Sequence, residues 1–416
     1  MEVDCNFAGN EGWGPEIDER LAWLRENEPI YWSEQSRMWV VTRYEDVEYV
    51  SKNQPLFTSG EGVRPGVPKI GLIDEAEPRH GKLRNLINRG FTPRMVKKLE
   101  APFREIVTEA IDTIAPLGEC DFVSKIAVPV PLLLIAEMIG IEKADRDKFH
   151  DWSDSMMAAA GVDSAPEVTQ RAGMAFMEYA AYVTKVIEDR RANPRDDLVT
   201  ILAGAKDDGM LTRFDGRAGK EARADWDARS EAEIQIANDE ITMLLVILLV
   251  AGNETTRNGI SGGMELLIRH PEARRRLIED PSLIPGAVEE MVRLVSPVRS
   301  FSRTVTEDTE LGGKQLRKGE IVLLTYPSAN TDPERYEDPE RFDIERGASH
   351  LGFGVGTHFC LGANLARMEM RVTFEELLRR LPDMEFAGDG PVFRPSPLVR
   401  TCAEMQVRYT PERSGA

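Results

Sequence analysis

Residues 353–367 have the sequence FGVGTHFCLGANLAR, in which a lone cysteine, Cys360, lies in a glycine-rich loop directly before an amphipathic helix. The glycines allow positive φ angles and a close approach of the backbone to a partner. The helix start after Cys360 offers free N–H groups and the positive end of a dipole, which stabilise a thiolate. Taken alone, one cysteine is more simply explained as a small buried hydrophobe. The whole pattern, with Phe353 and His358 beside the cysteine, instead indicates a thiolate that contacts a large flat group.

The pattern Phe-Gly-x-Gly-x-His-x-Cys-x-Gly resembles the haem-binding loop of the cytochromes P450, and it is a highly specific signature. The resemblance implies the cytochrome P450 fold, mainly α with small β-sheets, in a single domain over residues 1–416. It also implies that Cys360 is the axial metal ligand of heme b (iron protoporphyrin IX), and that Phe353 and Gly362 lie against this cofactor. A thiolate ligand donates electron density to the iron and favours cleavage of the O–O bond.

Composition limits the class of protein and its partners. The 416 residues carry a formal net charge of −19, from 52 basic and 71 acidic residues, which argues against nucleic acid as the main partner. The four cysteines are widely scattered, so we expect neither a disulfide framework nor a zinc site. This pattern is typical of a protein in a reducing compartment. The acidic N-terminus shows no signal peptide or membrane anchor, and the apolar run 241–251 is too short to span a bilayer. We expect a monomer of the soluble, bacterial type located in the cytoplasm.

The hydrophobic periodicity predicts a largely helical chain between small strand-rich ends. Expected strands cover residues 38–42 and 321–326, and expected helices cover residues 44–53, most of 94–295, and 361–380. The helix on the far side of the haem, called distal in P450s, is expected at about 235–267. Residues 205–233 are charged and weakly periodic, and we interpret them as an enlarged surface loop.

The apolar run ends abruptly in the sequence AGNETT, residues 251–256. A carboxylate in apolar surroundings is costly unless it is paired or solvated, and such local conflicts tend to mark functional sites. Thr255 is expected to bond back to the carbonyl of Ala251 and open the helix. The alternative, a helix end at Gly252, is weakened because helix-compatible sequence resumes afterwards.

The segment also resembles the distal helix of the P450s. This resemblance implies that Glu254 and Thr255 form the acid–alcohol pair that delivers protons during oxygen activation. Gly252 would make room for dioxygen, and Ala251 would contact the haem.

Further positions match family motifs. The resemblance pairs Glu290 and Arg293 with Arg341 in a structural network behind the haem, although an ordinary surface ion pair explains the first two equally well. It also implies that the haem propionates are bound by four cationic or donor groups, which are His80, Arg84, Arg303 and His358.

The resemblance implies a monooxygenase that hydroxylates a hydrophobic small molecule with O2. The two electrons would come from a ferredoxin and its NAD(P)H-dependent reductase. A steroid or terpenoid substrate is suggested by several phrases similar to the bacterial sterol side-chain hydroxylases. The pocket would be lined by Val250, Ala251, Val298, Leu398 and Val399. A basic cluster is a candidate docking surface for the ferredoxin; it consists of Arg84, Arg89, Arg94, Lys97, Lys98 and Arg104.

Three alternatives stand beside this function. A peroxide-driven peroxygenase is disfavoured because those relatives replace the acid–alcohol pair. A thiolate–haem sensor or binding protein is disfavoured by the same pair, which a purely binding role does not need. C–C bond cleavage or phenolic coupling by a P450 is left open by the sequence.

Overall fold

The computed structural model describes residues 3–65, 67, 69, 71–158, 165–204 and 238–412. Helices make up most of this part of the chain, as expected. The predicted charged loop 205–233, and residues 235–237 of the predicted distal helix, lie outside the described residues. In chain order the α-helices are α1 (Ile17–Asn27), α2 (Tyr44–Lys52), α3 (Arg79–Asn88), α4 (Pro93–Ile114), α5 (Pro129–Ile139), α6 (Arg146–Ala158), α7 (Pro166–Ala192), α8 (Leu198–Ala203), α9 (Asn238–Arg269), α10 (Pro271–Glu279), α11 (Ile284–Val295), α12 (Tyr326–Asn330) and α13 (Ala363–Arg380).

The strands are short and lie toward both ends of the chain. They are β1 (Ile30–Ser33), β2 (Met38–Val41), β3 (Phe57–Thr58), β4 (Glu119–Asp121), β5 (Ser300–Val305), β6 (Thr309–Leu311), β7 (Lys314–Leu316), β8 (Ile321–Thr325), β9 (Glu385–Phe386), β10 (Val392–Arg394), β11 (Thr401–Glu404) and β12 (Gln406–Arg408). The predicted strands at 38–42 and 321–326 are therefore confirmed to within a residue at their ends.

A five-stranded sheet joins the two ends of the chain in the order β1-β2-β8-β5-β3. Strands β2 and β8 run parallel, with Trp39 opposite Val322, and β5 runs antiparallel to β8, with Arg303 opposite Val322. Smaller sheets pair β10 with β11, β6 with β7, and β4 and β9 with β12. The five-stranded sheet therefore fixes Arg303, a predicted propionate ligand, on a strand buried between two neighbours.

Helix α9 lies in the middle of the helical layer, packed against α5, α7 and α11. Its first turns are apolar nearly all round, and Ile241, Leu245 and Leu249 are fully buried, as expected of a helix enclosed on several sides. Gly262 allows close contact with α11, because a Cβ there would lie 2.7 Å from the Val295 side chain.

Ion pairs join α4 to α13, the helix that follows the cysteine loop. Arg104 of α4 binds Glu375 and Glu376 of α13 at 2.6 and 2.7 Å, and Arg371 of α13 binds Glu100 of α4 at 2.9 Å. These pairs hold the middle of α13 against α4. Among the described residues, no helix combines the length and apolar content needed to cross a membrane.

Candidate active site

The cysteine loop is held by its glycines and by one main-chain hydrogen bond. Gly354 and Gly356 have φ angles of +65° and +76°, which glycine adopts at little cost. The Cys360 N–H donates to the carbonyl of Phe353 at 2.8 Å, which closes the loop. Helix α13 begins at Ala363, three residues after the cysteine. The local sequence thus produces a tight loop that ends at a helix start, as the glycine pattern predicts.

Cys360 is an exposed residue of this loop. Protein atoms nevertheless surround the thiol closely, and burial raises its pKa. The N–H of Gly362 and the guanidinium groups of Arg84 and Arg367 oppose that rise. The predicted stabilisation of a thiolate by the helix start is present but does not outweigh burial. A bound metal cation would outweigh the effect of burial, because a thiol that coordinates a metal is deprotonated.

A second set of contacts fixes the loop from outside, and the sequence interpretation missed it. Arg367 lies 4.4 Å above the Phe353 ring and binds Glu289 through two hydrogen bonds of 2.6 and 2.8 Å. His350 contacts the same carboxylate at 3.3 Å. Burial opposes ionisation, but the hydrogen bonds from Arg367 and His350 lower the pKa of Glu289 to about 2. The sequence marks Glu289 only by its position next to Glu290, a residue of a family motif.

The four predicted propionate ligands come together from three parts of the chain. The rings of His80 and His358 stack with centroids 4.0 Å apart. Arg84 donates a hydrogen bond to the Phe359 carbonyl, beside Cys360. Burial, Arg303, His80 and Arg84 together lower the pKa of His358 to about 2, so this ring is neutral at pH 7.

Arg303 is the most informative member of this group. It is 3% exposed, and within the described part of the chain its side chain donates one hydrogen bond, from Nη1 to the Ser302 carbonyl at 2.8 Å. Its Nε is buried and has no hydrogen-bond partner among the described residues. A buried guanidinium normally needs an anion in contact, because burying an unpaired charge is costly. The cluster of Arg303, Arg84 and the two histidines is therefore suited to bind carboxylates.

Helix α9 carries the acid–alcohol pair. The Thr255 hydroxyl donates to the Ala251 carbonyl at 2.7 Å, which confirms the predicted back-bond. Ala251 is exposed although it lies in the middle of the helix. Glu254 is 5% exposed, and its Oε1 accepts from Nη1 of Arg257 at 2.6 Å. Burial raises the pKa of Glu254, while Arg257 lowers it.

Gly252 lies close to a neighbouring helix. A Cβ at this position would lie 3.0 Å from Cδ1 of Ile135 in α5. The missing side chain therefore permits close packing of α9 on α5. The role of Gly252 in making room for dioxygen stays a prediction.

The structural network is corrected. Arg293 is fully buried and binds both oxygens of Glu290 at 2.7 Å. The predicted third member, Arg341, is 67% exposed and only approaches Asp343, at 4.0 Å. Arg346 takes its place, with Nε 3.0 Å from Oε1 of Glu290. The backbone turn after Arg341 directs that side chain outward, while its carbonyl accepts hydrogen bonds from Arg293 and Arg346.

The predicted substrate residues meet where β5 approaches the loop between β10 and β11. Val298 and Val399 form an isolated antiparallel bridge, and the Arg299 N–H donates to the Leu398 carbonyl at 2.8 Å. Val250 is half-buried one residue before the exposed Ala251. The structure thus brings Val298, Leu398 and Val399 together, and places Val250 beside Ala251 on α9.

Comparison with known proteins agrees with this geometry. The family model for "Cytochrome P450" matches residues 162–382, more than half of the chain. The chain belongs to the cytochrome P450 family. It is 37% identical to a steroid C26-monooxygenase of Mycolicibacterium smegmatis, over 94% of this P450 and 92% of the relative. It is 38% identical to a methyl-branched lipid omega-hydroxylase of Mycobacterium tuberculosis, over 83% of this P450 and 78% of the relative.

A solved structure shows the same fold. CYP109E1 from Bacillus megaterium, in complex with corticosterone, superposes with a TM-score of 0.82 at 31% identity, and the match covers 96% of this P450 and 99% of that chain. The predicted fold class is therefore confirmed, and so is the prediction of a P450 monooxygenase close to bacterial sterol side-chain hydroxylases.

The residues present suit the haem that the P450 family implies. The buried Arg303 with its unpartnered Nε fits a carboxylate, and Arg84 and the stacked histidines add donors beside it. Haem carries two propionates, so four such groups match its charge and its number of acceptors. Cys360 supplies the soft thiolate that iron accepts in this family.

Proposed function

We propose that this P450 inserts one atom of O2 into an aliphatic C–H bond and releases the other as water. The observation that carries the proposal is the hydrogen bond from the Thr255 hydroxyl to the Ala251 carbonyl, which places the acid–alcohol pair beside the exposed Ala251 in the middle of α9. The reaction consumes the substrate C–H bond, O2, two electrons and two protons, and it yields an alcohol and one water. A ferredoxin reduced by its NAD(P)H-dependent reductase supplies the electrons.

Named side chains would hold the cofactor and handle protons. Cys360 Sγ would bind the iron, and the cluster of Arg303, Arg84, His80 and His358 would bind the propionates. Haem with a thiolate ligand supplies oxygen activation, including O–O cleavage. Thr255 would hold a water beside the reacting oxygen, and Glu254 would pass protons toward it.

The proposed substrate is the branched aliphatic end of a steroid or lipid. One relative is named for oxidation at steroid C26 and another for the omega position of methyl-branched lipids, and both names describe the terminal carbon of an aliphatic chain. Valine and leucine side chains at 298, 398 and 399 supply an apolar contact for such a chain. Binding to an apolar pocket depends on how much apolar surface of the ligand is removed from water. A branched chain end and a linear one bury different areas, so they bind with different affinities.

Two measurements test this proposal. The reduced protein with carbon monoxide should show the red-shifted Soret band of thiolate-ligated haem. Cholest-4-en-3-one or a methyl-branched fatty acid should shift the haem spin state and, with ferredoxin, reductase and NAD(P)H, give a terminal alcohol. Turnover with hydrogen peroxide that exceeds turnover with ferredoxin would instead establish a peroxygenase. Spin-state shifts only with unrelated aromatic ligands would reject the substrate class.

Thr255→Ala tests the proton-delivery role. Without the hydroxyl, we expect product per NAD(P)H consumed to fall about tenfold, because protons reach the reacting oxygen without control and reduced oxygen species are released. NAD(P)H oxidation itself should continue. Thr256→Ala is the matched control, since Thr256 is the adjacent buried threonine. Equal yields from Thr255→Ala and the wild type would contradict the role.

A further inference from the structure

Arg257 connects the acid of the acid–alcohol pair to a strand outside the helix. Its Nη1 donates to Oε1 of Glu254 at 2.6 Å, and its Nη2 donates to the carbonyl of Cys402 at 3.3 Å. The Arg257 side chain is 12% exposed and that of Glu254 is 6% exposed. This is a desolvated ion pair within one helical turn, and its arginine is also bound to the Cys402 carbonyl.

A neighbouring asparagine doubles this anchor. Asn258 donates from Nδ2 to the Glu254 carbonyl at 2.7 Å and to Oε2 of Glu254 at 3.4 Å. Its Oδ1 accepts from the Cys402 N–H at 3.1 Å. One peptide unit on each side of Cys402 therefore binds two successive side chains of α9. The same hairpin carries Leu398 and Val399, two of the predicted substrate residues.

This geometry leaves Glu254 directed at Arg257, while the hydroxyl of Thr255 is directed at the Ala251 carbonyl. The carboxylate is thus held on the Arg257 side of the helix in the described structure. Arg257 therefore fixes the position from which the Glu254 carboxyl group would transfer a proton. The effect of Arg257 therefore depends on both its charge and its two-pronged contact.

We propose that Arg257 is a positioning residue of the proton relay, which holds the Glu254 carboxylate by an ion pair and is itself held by the Cys402 carbonyl of the β10–β11 hairpin. This inference rests on the proposed monooxygenase function and adds a residue to it. Arg257 touches neither substrate nor cofactor in the proposal. It acts through Glu254.

Charged groups from three elements face Glu254 and set the expected pH behaviour. Arg257 on α9 and Arg394 on β10 favour the carboxylate, and Asp154 on α6 disfavours it. Removal of the Arg257 charge leaves burial and Asp154 less opposed, so the pKa of Glu254 rises further. Glu254 then stays protonated, and able to donate, to a higher pH. The alkaline limb of the pH profile of product yield should therefore move upward.

The experiment compares R257Q, R257K and R269Q with the wild-type holoenzyme, using ferredoxin, reductase, NAD(P)H and the substrate that the wild type hydroxylates. R257Q should lower product formation about tenfold, the fold-change of one lost charge-assisted hydrogen bond, and should move the alkaline limb upward. R257K keeps the charge and should keep the limb near that of the wild type. R269Q changes an exposed arginine on the same helix, whose partner Glu265 is also bound by Arg400, and should change neither quantity.

A double-mutant cycle decides whether the effect runs through Glu254. If it does, E254Q/R257Q should match E254Q in product formation and in pH profile. This comparison also applies if R257Q alone fails to bind haem, because the double variant contains no unpaired buried charge. A further loss in the double variant, or an R257Q profile identical to that of R269Q, would overturn the inference. A wild type that forms no alcohol would reject the proposed function instead, independently of Arg257.

Discussion

At the scale of single residues, two adjacent glutamates of α11 bind different parts of the molecule. Glu290 is 3% exposed and binds Arg293 and Arg346, which secures the segment that follows α12. Glu289 binds Arg367 and His350, which secures the cysteine loop. Successive helical residues point about 100° apart, so neighbours in sequence can serve separate layers.

Glu289→Gln should destabilise the holoenzyme in a pH-dependent manner. The pKa of Glu289 is lowered to about 2 in the folded protein, so its carboxylate stabilises the fold above the unfolded pKa of about 4.5. This contribution is lost as the pH falls from about 4.5 toward 2. We expect the variant to melt about 1–2 °C below the wild type at pH 7, with the difference shrinking across that window. Thermal unfolding followed at the Soret band and by circular dichroism measures it.

Glu272→Gln is the control for that prediction, because Glu272 forms an exposed ion pair with Arg275 on α10. Exposed pairs contribute little to stability, so its melting temperature should match the wild type throughout. A constant difference between Glu289→Gln and the wild type from pH 7 to pH 3 would show that the charge of Glu289 is not the source of the effect.

Sequence reasoning located the residues with a local signature and missed those whose partners are distant. Thr255 and Ala251 lie four apart on one helix, so their bond follows from the helical repeat. Glu289 and Arg367 are 78 residues apart, and their contact depends on how α11 packs against α13. A single sequence contains no spacing rule for such a pair.

At the scale of elements, the pairing of α11 with the segment 337–346 shows the same limit. Arg341 and Arg346 lie in one irregular stretch, and either could reach Glu290 by sequence distance alone. The path of the backbone decides between them: the Asp343 N–H donates to Oε1 of Glu290 at 3.1 Å, and Nε of Arg346 binds the same oxygen at 3.0 Å. Helices and strands could be placed from periodicity, whereas irregular segments have no period to read.

The corrected network predicts opposite outcomes for two arginines of that stretch. Arg346→Gln removes one partner of a buried carboxylate and should lower the free energy of unfolding by about 2–3 kcal/mol. Arg341→Gln changes an exposed side chain and should cost less than about 0.5 kcal/mol. Denaturant titrations of the two variants, with retention of the carbon monoxide spectrum as a second readout, compare them directly. A larger loss in Arg341→Gln would restore the original assignment.

At the scale of the whole molecule, a net charge of −19 would make the docking of the proposed acidic ferredoxin dependent on local positive charge. Acidic residues neutralise two members of the basic cluster predicted from the sequence. Arg104 is bound by Glu375 and Glu376, and Lys98 is bound by Asp196 at 3.0 Å. Arg94 and Lys97 are exposed, and neither forms an ion pair within the described part of the chain. The sequence window could not show this, because the neutralising acids come from other elements.

Charge reversal at Arg94 and Lys97 should therefore raise the KM for ferredoxin, by roughly tenfold at low salt, and flatten its dependence on ionic strength. The reason is loss of long-range attraction, so kcat at saturating ferredoxin should change little. Steady-state reduction at several salt concentrations measures both. Charge reversal at Lys148, an exposed lysine of α6 in an ion pair with Asp145, is the control. Unchanged KM in the double reversal would remove this face from the docking surface.

The double attachment of α9 to Cys402 has a consequence for how this enzyme could diversify. Both contacts use main-chain atoms of the hairpin, the N–H and the carbonyl of one residue. Exchanges of side chains at the predicted substrate residues 398 and 399 leave those atoms in place, so point substitutions there should not disturb helix α9. Insertion or deletion of a residue between 399 and 402 would shift the register and detach Arg257 and Asn258. A mutant library for new substrates should therefore vary the residue types in this hairpin and keep its number of residues constant.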